Sequence, residues 1–147
     1  MDQKKFKKII CELACKCGFK SEFGGWFKAS EESILVLNLQ KSNFSNLFYL
    51  NIKIFMQGIR GNTYVISKEL SMKEPGNIFR RQPKEYDVTF DLGSTLSDEQ
   101  RIDNLESLFK SFIAPFSEKC MSKRGINELW KDGQICLLPA AENYLSC

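Results

Sequence analysis

The sequence predicts an α+β fold in which helices pack on one face of an antiparallel β-sheet, with an N-terminal helix and C-terminal helices. Three observations carry this prediction: two alternating apolar runs, an amphipathic segment at the N-terminus, and a capped, helically periodic segment in the second half. The chain has 147 residues, of which 43% are hydrophobic and 27% are charged. We therefore expect a single domain over residues 1–147, with a core that needs no metal or disulfide.

The composition argues against several classes of protein. The chain contains no histidine, which removes the commonest general base, imidazole metal ligands and every Ser-His or Cys-His nucleophile pair. The net charge is only +3 and the basic residues are spread along the chain, so we expect no nucleic-acid partner. No long apolar run is present, even after the lysine-rich first residues, so we expect no membrane association and a cytoplasmic location.

Six cysteines are present, and in a reducing compartment they are expected to be free thiols. No Cys-x-x-Cys spacing occurs, so we predict neither a metal site nor a cofactor. Cys11 and Cys15 lie four residues apart among lysines on one helix face, where positive neighbours would lower a thiol pKa. The alternatives there are a redox or metal half-site and incidental thiols.

In chain order, the first element is an amphipathic helix over residues 2–17. Its apolar positions recur with helical spacing, and Gly18 follows as a stop signal. These positions are Phe6, Ile9, Ile10, Leu13 and Cys17. Residues 19–28 contain Gly24 and Gly25 between aromatic residues, which predicts two short strands around a glycine turn or one bulged strand.

A β-hairpin is predicted next, because two alternating apolar runs, 34–40 and 48–56, flank the polar insert 41–46. The alternation assigns the side chains to two unlike faces, and a one-residue slip would invert both. The apolar face contains Leu35, Leu37, Leu39, Phe48, Leu50, Ile52, Ile54 and Met56. The other, amide-rich face contains Asn38, Gln40, Tyr49, Asn51 and Lys53.

The periodicity fades between residues 57 and 84, which predicts a long, partly irregular crossover with one strand near residues 64–67. Residues 86–92 alternate again and predict a further strand. On that strand Asp87 and Asp91 would share a side, but they would lie roughly 13 Å apart, too far for a catalytic pair. We therefore name no catalytic residue.

The strongest helix signal begins at Ser97, which forms a capping box with Gln100. Its apolar stripe is expected to pack on the apolar face of the hairpin. The stripe contains Ile102, Leu105, Leu108, Phe109, Phe112, Ile113 and Phe116. Pro115 is expected to end or kink this helix. A short helix near residues 126–130 and a C-terminal segment at 137–145 complete the layout.

The segments Leu39-Gln40-Lys41-Ser42 and Phe48-Tyr49-Leu50-Asn51-Ile52 resemble DUF4304, a bacterial family of domains of unknown function. Gly18-Phe19 and Pro115-Phe116 fit the same pattern. The resemblance covers about residues 4–120, implies the fold described above, and leaves a C-terminal helical extension over residues 121–147. Leu92-Gly93-Ser94 departs from the pattern, which would have a tryptophan after the late strand. The resemblance implies no activity.

The amide-rich face is the first candidate binding site. Asn and Gln are depleted from strands, so several on one face suggest groups that contact a peptide, a sugar or a base. The alternatives are a solvated outer face, or Gln40 and Asn51 bonding to loop backbone. A second candidate is the basic segment 80–84 beside Phe79, which suits a phosphate or an acidic partner unless it is a solvated loop. The candidate binding residues are Asn38, Gln40, Ser42, Tyr49, Asn51, Lys53, Arg80 and Arg81.

These observations favour a cytosolic, non-enzymatic interaction module that binds a protein partner through the polar sheet face, in its most concrete version an immunity-type partner. The alternative is an enzyme or small-ligand-binding domain that uses the same face as a pocket. Shape separates the two: a flat exposed face suits a protein, whereas a concave pocket covered by the 57–84 crossover suits a small ligand.

Overall fold

The computed structural model describes residues 1–146, which form a five-stranded antiparallel sheet in which the strands pair in sequence order. The strands are β1 (Lys20–Glu22), β2 (Gly25–Ala29), β3 (Ser33–Lys41), β4 (Phe48–Met56) and β5 (Ile78–Arg81). Together with the helices, this sheet confirms the predicted α+β fold. Five of the six cysteines are free thiols, and the sixth, Cys147, lies outside the described residues.

The predicted β3–β4 hairpin is confirmed, and of the two alternatives for residues 19–28 the structure has the two short strands around a turn. β3 and β4 pair antiparallel with Asn38 opposite Asn51, the register that the alternation requires. β1 and β2 are joined by a turn at Phe23 and Gly24, whose φ angles are 51° and 75°. Positive φ at both central positions is typical of a type I′ turn, which matches the twist of two paired strands.

The helical segments include the capped helix predicted from the sequence. They are α1 (Gln3–Lys16), α2 (Lys68–Met72), α3 (Asp87–Phe90), α4 (Asp98–Leu108), α5 (Ala114–Lys119), α6 (Lys123–Lys131) and α7 (Pro139–Ser146). The capping box of Ser97 and Gln100 begins α4. Between α4 and α5 the chain is π-helical over Phe109–Ile113. This wider turn directly precedes Pro115, whose ring lacks the N–H of a regular helical bond, so the chain stays helical there instead of ending.

The main core lies between the apolar face of the sheet and the helices. The stripe of the capped helix packs there as predicted, through Leu105, Leu108, Phe109 and Ile113. Its partners include Leu35, Leu37, Leu50 and Ile52 of the sheet and Phe6 and Ile10 of α1. The C-terminal extension joins the same core through Ile126, Leu129, Ile135 and Ala141.

Residues 86–92 do not form the predicted strand. They continue a 3₁₀ turn at Lys84–Tyr86 into α3, and Asp91 makes a single bridge with Leu47. The neighbouring Thr89 and Phe90 are both fully buried, so the side chains do not alternate. Periodicity over so short a segment does not separate a strand from helical turns, which explains the wrong prediction.

The strand predicted near residues 64–67 is also wrong. The side-chain amide of Gln57 takes the place of a neighbouring strand: Nε2 donates to the carbonyl of Tyr64 at 2.9 Å, and Oε1 accepts from its N–H at 2.7 Å. The fifth strand is instead β5, where Arg81 lies opposite Asn51. Charged residues and the nearby Pro83 gave this segment the composition of a loop.

Candidate functional site

The sheet face opposite the main core is divided into a covered half and a polar half. The covered half is apolar and lies beneath Leu70 of α2, with Tyr64 and Ile66 packed against it. Its sheet residues are Phe27, Ile34, Val36 and Phe55. The polar half carries Asn38, Gln40, Tyr49 and Asn51 on β3 and β4, with Arg81 opposite Asn51 on β5. The predicted amide-rich face is therefore only half of one sheet face.

Lys53 lies at the boundary between the two halves and is 5% exposed, which corrects the expectation of a solvated side chain. Its Nζ donates to the carbonyl oxygens of Ser71 at 2.8 Å and Leu70 at 3.3 Å, near the C-terminal end of α2. Burial lowers the pKa of Lys53, and the charge of Glu74 opposes that shift. Carbonyl oxygens at a helix C-terminus favour a cation, so Lys53 holds α2 on the sheet.

Helix α2 approaches the sheet so closely that a side chain at Gly25 would not fit. A Cβ at this position would lie 2.5 Å from Oγ of Ser71 and 2.9 Å from the carbonyl oxygen of Leu37. Glycine at this position thus permits the close approach, and α2 forms a fixed wall beside the polar half.

The polar half is organised by a row of hydrogen bonds that we call the amide network, formed by Asn38, Gln40, Asn51 and Arg81. Nε of Arg81 donates to Oδ1 of Asn51 at 3.1 Å. Nδ2 of Asn51 donates to Oδ1 of Asn38 at 3.0 Å and to Oε1 of Gln40 at 2.9 Å. Asn51 is 5% exposed and is the hub of the network. Gln40 and Asn51 thus bond to each other, not to loop backbone as the alternative proposed.

The arginine fixes the orientation of every amide in this network. A guanidinium has no acceptor, so Asn51 must present its oxygen to Arg81 and its NH₂ group to the other two amides. Asn38 and Gln40 must then present their oxygens to Asn51. Within residues 1–146, the outward NH₂ groups of Asn38 and Gln40 have no hydrogen-bond partner.

Arg81 lies over an aromatic ring. Its guanidinium carbon is 4.1 Å from the ring centroid of Tyr49 and 5.9 Å from that of Phe79. Stacking of this kind holds the guanidinium plane in place. Of the three guanidinium nitrogens of Arg81, only Nε donates a hydrogen bond within residues 1–146. The donors of Nη1 and Nη2 therefore remain free there.

Arg80 does not belong to the polar half, because alternate residues of a strand point to opposite faces. Its guanidinium carbon lies 4.6 Å from the ring centroid of Phe112 and 5.8 Å from that of Phe116. Nη1 donates to the carbonyl oxygen of Gln134 at 2.7 Å. Burial lowers the pKa of Arg80. The prediction of a basic cluster in a loop is therefore wrong. Arg80 and Arg81 lie on β5, and their side chains lie on opposite faces of the sheet.

Ser42, the remaining candidate, lies in the loop that joins β3 and β4. Its N–H donates to the carbonyl of Leu47 at 2.8 Å, and its hydroxyl accepts from the N–H of Phe44 at 3.2 Å. These bonds close the hairpin. Ser42 is therefore placed as a turn residue beside the polar half.

Two grooves flank β5 and meet at Phe79, whose ring is 45% exposed. The amide groove, about 520 Å³, lies between Asn38, Gln40 and Asn51 of the network and residues 72–75 at the end of α2. The second groove, about 430 Å³, is bordered by Tyr49, Arg81 and residues 133–136. The polar half is therefore neither flat nor a covered pocket: it is an open groove with residues 72–75 of the crossover as one wall.

The expected lowering of a thiol pKa by lysines near Cys11 and Cys15 is corrected for Cys15. The pKa of Cys15 is raised, chiefly by desolvation and further by the neighbouring thiol of Cys11. Burial also raises the pKa of Cys17 and Cys120, although Lys28 opposes the shift in both. A raised pKa leaves less reactive thiolate at neutral pH, so Cys15, Cys17 and Cys120 are weak candidates for redox chemistry.

The two aspartates discussed above serve local structure. Oδ1 of Asp87 accepts from Nε2 of Gln82 at 3.0 Å, and Oδ1 of Asp91 accepts from the N–H of Gly93 at 2.9 Å. In the part of the chain that the structure describes, no group of three or more acidic or cysteine side chains is placed to hold a metal ion. No helix there is both long and apolar enough to cross a membrane.

The sequence did not reveal the pairing that builds the site. Oε1 of Gln82 accepts the N–H of Leu50 at 2.8 Å, and Oδ1 of Asn77 accepts the N–H of Met56 at 2.7 Å. Amide side chains thus extend the β4–β5 pairing at both ends, which places Arg81 beside Asn51. In the sequence, the only sign of this pairing is that Asn77 and Gln82 flank the four residues of β5. Asn and Gln flank many loops as well, so this signal is weak.

Comparison with known proteins identifies one family. The model of the family described as "Domain of unknown function (DUF4304)" matches residues 12–119, which is most of the chain. No curated protein and no solved structure matched the chain.

Proposed function

We propose a binding function for this chain, which belongs to the DUF4304 family. The domain is a non-enzymatic interaction module, and the polar half of its sheet holds an extended segment of a partner protein. The observation that carries this proposal is the amide network: its outward NH₂ groups have no partner within residues 1–146, and they border an open groove.

The chemistry of the amide groove supports binding over reaction. Asn38, Gln40 and Asn51 neither take up nor release protons near neutral pH, so they recognise polar groups but do not transfer protons. Of the basic side chains that border the groove, Lys53 is engaged with the carbonyls of α2, Lys41 with the carbonyl of Ser45, and Lys73 with Glu69. Acid–base catalysis needs a titratable group within reach of the substrate; the amide network supplies none, and Glu74 is a lone carboxylate on the border of this groove.

The shape supports an elongated ligand. The amide groove and the second groove lie on either side of Phe79, so a segment that crosses this exposed ring contacts both. Exposed aromatic residues are typical anchors at protein interfaces. A small ligand that fills one groove is the alternative, because each groove falls within the roughly 300–1,000 Å³ of ordinary ligand pockets.

We place this binding in the cytoplasm, with an immunity-type protein as the most concrete partner. The free thiols among the described cysteines are compatible with a reducing compartment. The product of an adjacent gene is therefore the first partner to test.

The experiment measures the affinity of that product by calorimetry for the wild type and three variants. Replacing Asn38 and Gln40 together by Ala, or Phe79→Ala alone, is expected to weaken binding about tenfold or more. Phe44→Ala is the matched control, because this ring is 96% exposed at the hairpin tip and borders neither groove. Its expected effect is below about twofold.

Equal losses for Phe79→Ala and Phe44→Ala would contradict a binding site on the polar half. A photo-crosslinking side chain at position 79 or 44 extends the test to partners that are not genetic neighbours. A protein adduct that forms at 79 and not at 44 supports the proposal. Native mass spectrometry tests the alternative: a small molecule that co-purifies with the wild type and is lost from the Asn38 and Gln40 variant would favour a ligand pocket.

A further inference from the structure

We infer that the segment bound by the polar half is acidic: an extended stretch of a partner protein that brings a carboxylate to Arg81 in one groove and acceptor oxygens to Asn38 and Gln40 in the other. This inference rests on the proposed function and names the chemistry of its partner. It follows from which atoms of the amide network face outward.

The carbonyl oxygens of the network are already engaged. Those of Asn38 and Gln40 accept from Asn51, and that of Asn51 accepts from Arg81. Of the side-chain groups of the network, those that have no hydrogen-bond partner within residues 1–146 are the NH₂ groups of Asn38 and Gln40 and the Nη donors of Arg81. A surface whose free hydrogen-bonding groups are donors is complementary to a ligand rich in acceptors.

Arg81 adds charge and geometry to this preference. Its Nε is bound to Asn51 and its guanidinium carbon lies 4.1 Å from the ring centroid of Tyr49, so the two Nη groups are held as a fork. A fixed guanidinium fork matches the two oxygens of a carboxylate, and such bidentate pairs are stronger than neutral hydrogen bonds.

The borders of the two grooves carry more cations than carboxylates. The cations are Lys41, Lys53, Lys73, Arg80, Arg81 and Lys84, and the carboxylates are Glu74 and Asp87. Asp87 is itself bonded to Gln82. The local charge therefore favours an anionic ligand.

Few of these cations are free, which favours a peptide carboxylate over a nucleic acid. Lys73 pairs with Glu69 at 3.3 Å, and Nζ of Lys41 donates to the carbonyl of Ser45 at 3.2 Å. Lys53 and Arg80 bond to backbone carbonyls. A nucleic-acid strand needs a run of free cations along its phosphates, whereas one or two carboxylates need only Arg81 and its neighbours.

The sheet also indicates what flanks the acidic residue. Phe79 and Arg81 are two residues apart on β5, so their side chains share a face. In an extended ligand, residues two apart likewise share a face. The matching segment therefore carries an apolar residue two positions from an acidic one, with the apolar side chain against Phe79.

The test uses defined probes in fluorescence polarisation. The acidic probe is a labelled peptide, Glu-Ser-Leu-Ser-Glu; the neutral probe is its matched Gln-Ser-Leu-Ser-Gln version, and (dT)₈ represents nucleic acid. The wild type is expected to bind the acidic peptide about tenfold or more tightly than the neutral one. Arg81→Gln is expected to abolish that difference. Arg124→Gln, which removes the same charge from an exposed position on α6 outside both grooves, is expected to preserve it.

A double variant, Asn38→Asp with Gln40→Glu, sharpens the test. Each new side chain keeps an oxygen toward Asn51 but replaces the outward donor with a carboxylate oxygen, so binding of the acidic peptide is expected to be lost. Equal binding of both peptides, or equal effects of Arg81→Gln and Arg124→Gln, would overturn the inference. So would tighter, Arg81-dependent binding of (dT)₈.

These outcomes separate the inference from the proposed function. If the neutral peptide binds as tightly as the acidic one and the Asn38 and Gln40 substitutions weaken both, the polar half is a binding site without an acidic preference. If neither peptide binds and the adjacent gene product still crosslinks at position 79, the inference of an acidic segment is overturned, but the proposed binding function stands. If the partner crosslinks equally at 79 and 44, the proposed function fails as well.

Discussion

The covered half and the polar half are built from the same two strands but have opposite surroundings. On β3, Val36 lies beneath α2, whereas Asn38, one step along the same face, borders a groove. The difference comes from α2, which ends at Met72, and from Lys53, which binds its last carbonyls. Where a helix covers the face the strands carry apolar side chains, and where it stops they carry amides.

The polar half remains open without loss of stability because its buried amide group is fully hydrogen-bonded. The buried amide of Asn51 donates to two side chains and accepts from a third, so its burial leaves no unpaired group. The covered half gains its stability from apolar burial. One half thus contributes mainly to folding, and the other is satisfied internally while its outward donors stay unpaired within residues 1–146.

The largest expected effect is in the covered half. Phe55→Ala removes a buried ring that packs on Tyr64 with ring centroids 5.1 Å apart, and we expect the free energy of unfolding to fall by about 3–5 kcal/mol. Tyr49→Ala, in the polar half, is the comparison variant and should lose about 1 kcal/mol. Denaturant unfolding measures both. Similar losses would mean that the polar half is packed as a core.

The second prediction concerns the boundary between the halves. Lys53→Met is expected to lower the free energy of unfolding by about 1–3 kcal/mol, because the carbonyls of Leu70 and Ser71 lose their buried donor. Limited proteolysis within residues 68–75 is expected to accelerate as α2 loosens. An unchanged cleavage rate would show that Leu70 alone holds this helix.

Lys53 also predicts a pH dependence. Because burial lowers its pKa in the folded state from the ordinary value of 10.5, the unfolded state binds more protons between the two values. The stability of the wild type relative to Lys53→Met is therefore expected to increase as the pH rises toward 10.5. The measurement is the difference between the two unfolding free energies across this range, in which the other titrating groups cancel. A difference that falls with pH would contradict a buried ammonium at this site.

The β3–β4 hairpin and the main core could be predicted because period-2 alternation over nine-residue strands and a capped helical stripe are strong local signals. The division of the second face could not be predicted, since it depends on α2, which is only five residues long. Lys53 is two residues from Asn51 on β4, so the alternation assigns both side chains to the same face and predicts the same solvated environment for both. The network was hidden for a related reason: Arg81 is thirty positions from Asn51, and only the β4–β5 register joins them.

Asn51 and Asn38 differ in burial, which gives the next prediction. Asn51→Ala removes the hub and leaves Nε of Arg81 and two amide oxygens without their partner, so we expect a loss of about 1–2 kcal/mol in unfolding free energy. Asn38→Ala removes one acceptor at a half-exposed position, and its expected effect lies within about 0.5 kcal/mol. Equal losses would show that the network has no single hub.

The smallest expected effect belongs to Asn38→Asp, and it tests the orientation of the whole network. Asp keeps an oxygen where Oδ1 of Asn38 accepts from Asn51, so the inward bond survives and the free energy of unfolding is expected to change by less than about 0.5 kcal/mol at neutral pH. Asn51→Asp is the matched control with the same change of atoms. It replaces the NH₂ group that donates to Asn38 and Gln40, and it sets a carboxylate against two carbonyl oxygens. We therefore expect Asn51→Asp to be the more destabilising of the two, by about 1–2 kcal/mol. If Asn38→Asp were the worse variant, the amide of Asn38 would be donating inward, and the polar half would present oxygens to its ligand instead of donors.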